Sequence, residues 1–266
     1  MKDTHEQEIK RTIRKTYSKI ALQETNNESG SSCCAPGCCS SGGGNSSTKA
    51  AATVIGYETS ELESVPQASV LGVGCGTPVK FADLQKGETV VDLGSGAGID
   101  VFLSTNKVTE AGSVIGIDMT DEMLKRAKIN AKNGGYTNVD FRKGDIEKRI
   151  PVDDNSADVV ISNCVINLTM NKINAFKEVH RILKHKGRIV ISDLVSDNEI
   201  APTDVNAKKW SSCIDGALTK DHYIDSIRQA GFQNIKVLSE TLYIDGGGEQ
   251  VDDRKISSVV IRAVKT

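Results

Sequence analysis

The sequence predicts an α/β protein with a mostly parallel, doubly wound sheet covered by helices on both faces. Three observations carry this expectation. From residue 87 onward, short Val/Ile-rich runs recur, each ending near a polar residue: ETVVDLGSG, SVIGID, VDFRKGD, ADVVISN and GRIVISD. Segments with helical patterning, such as DEMLKRAKINAKN and NKINAFKEVHRILKHKG, lie between them, the alternation expected of parallel strands joined by crossover helices. The first run ends in Asp92-Leu93-Gly94-Ser95-Gly96-Ala97-Gly98, and open α/β sheets bind ligands beyond the carboxyl ends of such strands.

Ahead of this core, residues 5–25 read as an amphipathic helix. Ile9, Ile13, Tyr17 and Ile20 recur at helical spacing, while Lys10, Arg11, Arg14, Lys15 and Lys19 form a solvated face. Residues 26–50 are rich in Gly, Ser and Asn and read as a linker after an N-terminal helical unit of residues 1–25. The linker carries SSCCAPGCCS, with Cys33, Cys34, Cys38 and Cys39 in no apolar company. Residues 51–195 form the cofactor-binding domain, and 196–266 a C-terminal substrate-binding portion. There FQNIKVLSE, TLYID and ISSVVIRAVK read as strands with little helix between them. They predict an antiparallel edge or a small C-terminal β-rich subdomain.

Composition narrows the function. With 38% hydrophobic and 26% charged residues, the chain has the make-up of a soluble globular protein. A formal charge of −2 gives no general attraction to nucleic acid or anionic lipid. No apolar run approaches a membrane span and the first residues lack a signal-peptide core, so a cytoplasmic location is expected. In a reducing compartment the seven cysteines point to soft-ion or redox work rather than structural disulfides.

The glycine turn alone could be purely structural. Its spacing is G-x-G-x-G rather than the G-x-G-x-x-G of dinucleotide sites. Asp118 ends the next strand, where a carboxylate can accept from both ribose hydroxyls. Met119 follows with an apolar face for adenine, and Asp145 and Ile146 end the third strand, placed to read the adenine edge. Asp145 could equally be a turn former. Together these features make residues 65–195 resemble the class I S-adenosylmethionine-dependent methyltransferases. The resemblance implies a Rossmann-like seven-stranded sheet. It also implies a cofactor set of Asp92, Gly94, Ser95, Gly96, Gly98, Asp118, Met119, Asp145, Ile146 and Asn163.

Three cysteines then fall in loops at the rim of that sheet: Cys75 in GVGCGTP, Cys164 in SNCVINL and Cys213 in SCIDGAL. Any one alone would read as a small buried hydrophobe. With these contexts and ELESVP, residues 50–240 closely resemble the arsenite S-adenosylmethionine methyltransferases. The resemblance implies that Cys75, Cys164 and Cys213 bind trivalent arsenic beside the sulfonium methyl, in a reaction serving arsenic detoxification. It also implies an external reductant of thioredoxin or glutathione type to return the methylated product to the trivalent state. Asp215 and Thr77 depart from the residues expected there and leave substrate range open. The linker thiols could capture arsenic or relay electrons; a tetrathiolate zinc clip is the alternative, which adjacent cysteines fit poorly. Two other readings remain at this stage: a methyltransferase for an organic small molecule, and a non-enzymatic thiol-based metalloid-binding protein.

Overall fold

The computed structural model describes residues 2–22, 48–201, 203–243 and 254–266. Cys33, Cys34, Cys38 and Cys39, and with them the expected linker up to residue 47, lie outside the described residues. The N-terminal helix α1 spans Lys2–Leu22. Helix α2 (Thr48–Ile55) takes up the last three residues assigned to the linker, and the short helices α3 (Thr59–Glu63) and α4 (Pro78–Phe81) follow.

Strand–helix alternation then begins as expected. The order is β1 (Thr89–Leu93), α5 (Ile99–Val108), β2 (Ser113–Asp118), α6 (Asp121–Asn133), β3 (Val139–Lys143), β4 (Ala157–Asn163), α7 (Lys172–Ile182) and β5 (Leu183–Ser196). The chain continues with α8 (Ala207–Ser211), α9 (Lys220–Gln229), β6 (Phe232–Leu242) and β7 (Ile256–Lys265). Among the described residues the strands form one seven-stranded sheet in the order β3-β2-β1-β4-β5-β7-β6. The first five run parallel, and β7 is antiparallel to both β5 and β6.

Both faces are covered because successive strand residues point to opposite sides. Val91, Val160, Ile189 and Ile191 pack with Phe176, Val179, Tyr223 and Ile227 of α7 and α9. Their neighbours Val90, Val159, Ile161 and Val190 pack on the other face with Val101, Phe102, Leu124 and Ala127 of α5 and α6. That is why the strands read as continuous apolar runs.

The C-terminal strands form the expected antiparallel edge: β7 pairs with β5 from Arg188↔Val264 to Ser196↔Ile256 and so continues the main sheet. Two finer expectations are corrected. The segments FQNIKVLSE and TLYID merge, since β6 runs unbroken through Leu242. The helix expected over NKINAFKEVHRILKHKG stops at Ile182. Leu183 is already extended and pairs with Ala157 across a bulge, while Lys186 takes a positive φ of 65°. The Lys184 ammonium, 2.8 Å from both Asp158 carboxylate oxygens, ties this bulged segment to β4.

Candidate active site

The sheet order reverses direction between β1 and β4, and the site is built at the carboxyl ends of these strands, where a crevice opens in such sheets. After β1, Gly94, Gly96 and Gly98 all have positive φ (67°, 52° and 99°), which glycine adopts at little cost. The turn folds back so that the Gly94 and Ser95 N–H groups donate to the Ile117 carbonyl at 2.8 and 3.0 Å. Gly98 caps the start of α5. A Cβ on Gly94 would stand 2.5 Å from the Val165 side chain, so the residue also sets how closely the loop carrying Cys164 approaches.

A cavity lies over this turn, lined by Asp92, Gly94, Ser95, Gly96, Asp118, Met119, Asp145, Ile146 and Asn163. Gly98 is the one member of the expected cofactor set that does not line it. Asp118 accepts the N–H groups of Gly96 (3.0 Å) and Thr120 (2.8 Å). Burial raises its pKa, and these donors pull the other way. Asp92 is pushed well above the usual carboxylate range by burial, then by the charges of Asp100 and Asp118. Asp145 both lines the cavity and forms a turn, its Oδ1 accepting the Glu147 N–H at 3.1 Å.

Asn163 spends its amide on the loop that carries Cys75. Its Oδ1 accepts the Cys75 N–H (3.0 Å), and its Nδ2 donates to the Gly76 carbonyl (2.7 Å), the Tyr57 hydroxyl (2.9 Å) and Asp100 (3.2 Å). The Tyr57 hydroxyl in turn donates to Asp100 at 3.0 Å. Neither Tyr57 nor Asp100 stood out in the sequence, because nothing local sets them apart from core and helix residues.

Helix α1 roofs the cavity through Lys10, Ile13 and Tyr17. Its solvated face is narrower than expected: Arg11, Arg14, Lys15 and Lys19 are exposed, but the Lys10 side chain is only 18% exposed and pairs with Glu147 (2.6 Å) and Asp145 (3.4 Å). The helix is latched where the Arg126 guanidinium donates to the Ala21 carbonyl at 2.9 Å.

The three rim cysteines come together beneath this roof. Cys75, Cys164 and Cys213 join Ile9, Ile13, Leu168, Leu194 and Trp210 in one apolar cluster. Cys164 lines the cavity, while Cys75 and Cys213 are buried. The Cys213 thiol donates to the Cys164 carbonyl at 2.8 Å. Cys164 and Cys213 both sit in the left-handed region, with φ of 61° and 68°, which costs an L-residue roughly 1–2 kcal/mol. Strain of this kind gathers at functional sites. Burial pushes the Cys75 thiol up to about 11. The contact with Cys164, then burial, raise Cys213 further. Cys164 is also raised, since Cys75 and burial outweigh the opposing hydrogen bond from Cys213. All three thiols are therefore protonated near neutral pH.

Asp193, in the C-terminal part of β5, is a residue the sequence reading missed. The Sγ atoms of Cys75 and Cys164 and an Asp193 carboxylate oxygen all lie within 4.8 Å of one another. Asp193 is fully buried and accepts from the Tyr223 hydroxyl (2.9 Å) and the N–H groups of Asn167 and Leu194 (both 3.0 Å). Burial pushes it up to about 6, and the nearby charge of Lys172 opposes that shift. Lys172 is itself buried at 7% exposure, with its ammonium 5.7 Å from the Trp210 ring centre. Burial lowers its pKa to about 8. The available signal was a carboxylate closing GRIVISD beside the switch point.

Asp215 gains a structural role. It pairs with Arg254 at 3.0 Å and accepts the Asn206 N–H at 2.8 Å, fixing the loop after Cys213. The next residue, Gly216, allows that loop to touch the segment after Cys164, since a Cβ there would stand 1.9 Å from the Asn167 carbonyl oxygen. With Asp215 anchored, the loop cannot yield easily. Gly216→Ala should lower stability by about 1–3 kcal/mol, read as a shift of the denaturant midpoint at unchanged m-value. An unshifted midpoint would show that the loop can move.

Comparison with known proteins agrees with this geometry. A methyltransferase domain family matches residues 84–231. An arsenite methyltransferase of Halobacterium salinarum is 42% identical over 69% of this chain and 47% of its own length. One from Aquipseudomonas alcaligenes is 32% identical over 75% and 60%. The chain thus spans about half to three-fifths of the length of these relatives. The crystal structure of an arsenic (III) S-adenosylmethionine methyltransferase from Chlamydomonas reinhardtii superposes with a TM-score of 0.63 at 30% identity, covering 81% of this chain and 73% of that one. Shared fold and shared sequence over nearly three-quarters of that protein make the assignment: the chain belongs to the arsenite S-adenosylmethionine methyltransferase family, on the class I methyltransferase fold.

Proposed function

We propose that this chain methylates trivalent arsenic held by Cys75, Cys164 and Cys213, using S-adenosylmethionine, and so serves arsenic detoxification. The observation that carries the reading is the convergence of three thiols from three separate loops in one buried cluster, with Cys164 opening it to the cavity and two of the three on left-handed backbone.

The cavity suits the cofactor. Asp118 offers carboxylate oxygens for the ribose, Met119 an apolar surface, and Asp145 and Ile146 the polar and apolar edges for adenine, all on its wall. When bound, S-adenosylmethionine supplies an electrophilic methyl on a sulfonium. The thiols supply the rest. Trivalent arsenic is soft and binds thiolates strongly. Three protonated thiols meeting arsenous acid release three waters, so their protons leave with the hydroxides and no separate base is needed. The product is a pyramidal centre whose lone pair is the nucleophile. Burial under α1 excludes water and holds that centre close to the methyl donor, a positioning effect that can reach about 7–11 kcal/mol. An external thiol reductant of thioredoxin or glutathione type then gives the two electrons that return the product to the trivalent state, its own thiols closing to a disulfide, with Cys33, Cys34, Cys38 and Cys39 as relay thiols.

Incubation with S-adenosylmethionine, arsenite and a dithiol, followed by chromatographic identification of the arsenic species, tests the reading. Recovery of only inorganic arsenic would overturn it. A finer test separates the thiols. Methylated trivalent arsenic has one bond to carbon and accepts only two thiolates. The family resemblance makes Cys164 and Cys213, whose loops touch where the Cys213 thiol donates to the Cys164 carbonyl, the pair that serves it. Cys75→Ser should lose arsenite as substrate yet still methylate monomethylated arsenite; equal loss on both substrates would refute this division of roles.

A further inference from the structure

We propose that Asp193 is a catalytic residue: its carboxylate, beside the Cys75 and Cys164 sulfurs, stabilises the positive charge that arrives on arsenic during methyl transfer. The inference rests on the arsenic reading above and adds a group to it. The charge balance gives such a group a task. The arsenic lone pair becomes the arsenic–carbon bond, and the sulfur–carbon pair returns to the donor sulfur. The sulfonium becomes a neutral thioether, while arsenic, bound to three thiolates and a methyl, carries one positive charge. Reduction by the external dithiol comes only afterwards.

Asp193 is placed to meet that charge. It lies within 4.8 Å of the Cys75 and Cys164 sulfurs, so arsenic bound to them is its close neighbour. Cys164 is part of the cavity wall and its sulfur lies within 4.8 Å of the Asp193 carboxylate, so charge that passes from a donor in the cavity to arsenic on Cys164 arrives near that carboxylate. In a buried site a fixed charge acts with little screening, and groups set in advance toward a developing charge need no reorganisation during the reaction. Three donors fix the carboxylate: the Tyr223 hydroxyl and the N–H groups of Asn167 and Leu194. Fully burying a carboxylate is costly. A hydrogen-bonding latch alone would need no charge.

Asp193→Asn separates latch from charge. An amide oxygen in place of Oδ2 still accepts from Tyr223 and Asn167, so most of the latch survives while the charge is lost. Three quantities should be read: arsenite affinity from the fluorescence of Trp210, the chain's one tryptophan; S-adenosylmethionine affinity by calorimetry; and the single-turnover rate with both saturating. Both affinities should stay within about threefold while the rate falls at least about tenfold, less than the loss of a dedicated charge-stabilising group elsewhere because the sulfurs share the charge. Lys172→Met combined with Asp193→Asn removes both buried charges and guards against an effect of an ammonium left without its neighbouring negative charge. The double variant should remain as slow as the single one. Recovery of the wild-type rate in the double variant, or an unimpaired single variant, would overturn the inference while leaving arsenic methylation standing. A wild-type protein that binds arsenite but never methylates it would overturn both.

Discussion

Serine at Cys164 or at Cys213 is expected to end arsenic methylation at every step, with a loss of about 10³-fold or more, well within what correct positioning of reactants can supply. Serine keeps the side-chain shape and can occupy the same left-handed backbone positions, at φ near 61° and 68°, so the fold and cofactor affinity should survive. What changes is the ligand. A hydroxyl is a hard donor that does not compete with water for trivalent arsenic, whereas a thiolate does. With either sulfur missing, the pair that holds both arsenite and its monomethylated form for transfer is broken, and only Cys75 and one partner remain. Arsenic speciation should therefore show no methylated product from either substrate, while calorimetry shows unchanged S-adenosylmethionine binding. Residual methylation of the monomethylated substrate by either variant would mean that Cys75 can replace the missing sulfur.

The parts of this site legible in the sequence were those set by strand ends. Asp118, Asp145 and the glycine turn follow runs such as SVIGID and ETVVDL, whose apolar patterning fixes where the chain leaves the sheet. Cys164 was found the same way, one residue past β4. Cys75 and Cys213 lie in loops without such a marker, and they were legible because their local contexts resemble a family. What stayed hidden depends on long-range packing. Lys10 looked like any other basic residue on an amphipathic helix, until α1 is seen to cross the cavity and meet Glu147. Asp193 was one more polar residue closing a strand, and only the convergence of loops from β4, α4 and α8 places thiols beside it. The bulge that ends α7 early was hidden because LKHKG continues the helical composition. Its pairing partner Ala157 lies on another strand, beyond any local window.

Asp118→Ala should weaken S-adenosylmethionine binding by about 10²-fold or more. The carboxylate offers both ribose hydroxyls charge-assisted hydrogen bonds of roughly 1.5–3 kcal/mol each, and about 1.4 kcal/mol corresponds to a factor of ten. The same oxygens accept the N–H groups of Gly96 and Thr120 at 3.0 and 2.8 Å, so the substitution also leaves one donor of the glycine turn and one at the start of α6 without their acceptor. Asp118→Asn keeps one good acceptor and should fall between the variant and wild type. Ribose lies away from the reacting atoms and is held alike before and during methyl transfer, so the loss is one of uniform binding. It should therefore raise KM and leave kcat nearly unchanged once the cofactor is saturating. Arsenite affinity, read through Trp210, should be untouched in the same protein, which separates a lost cofactor contact from a damaged fold. Unchanged cofactor affinity would remove Asp118 from the binding site, and a fall in kcat at saturation would instead place this carboxylate's effect on the thiol side of the cavity.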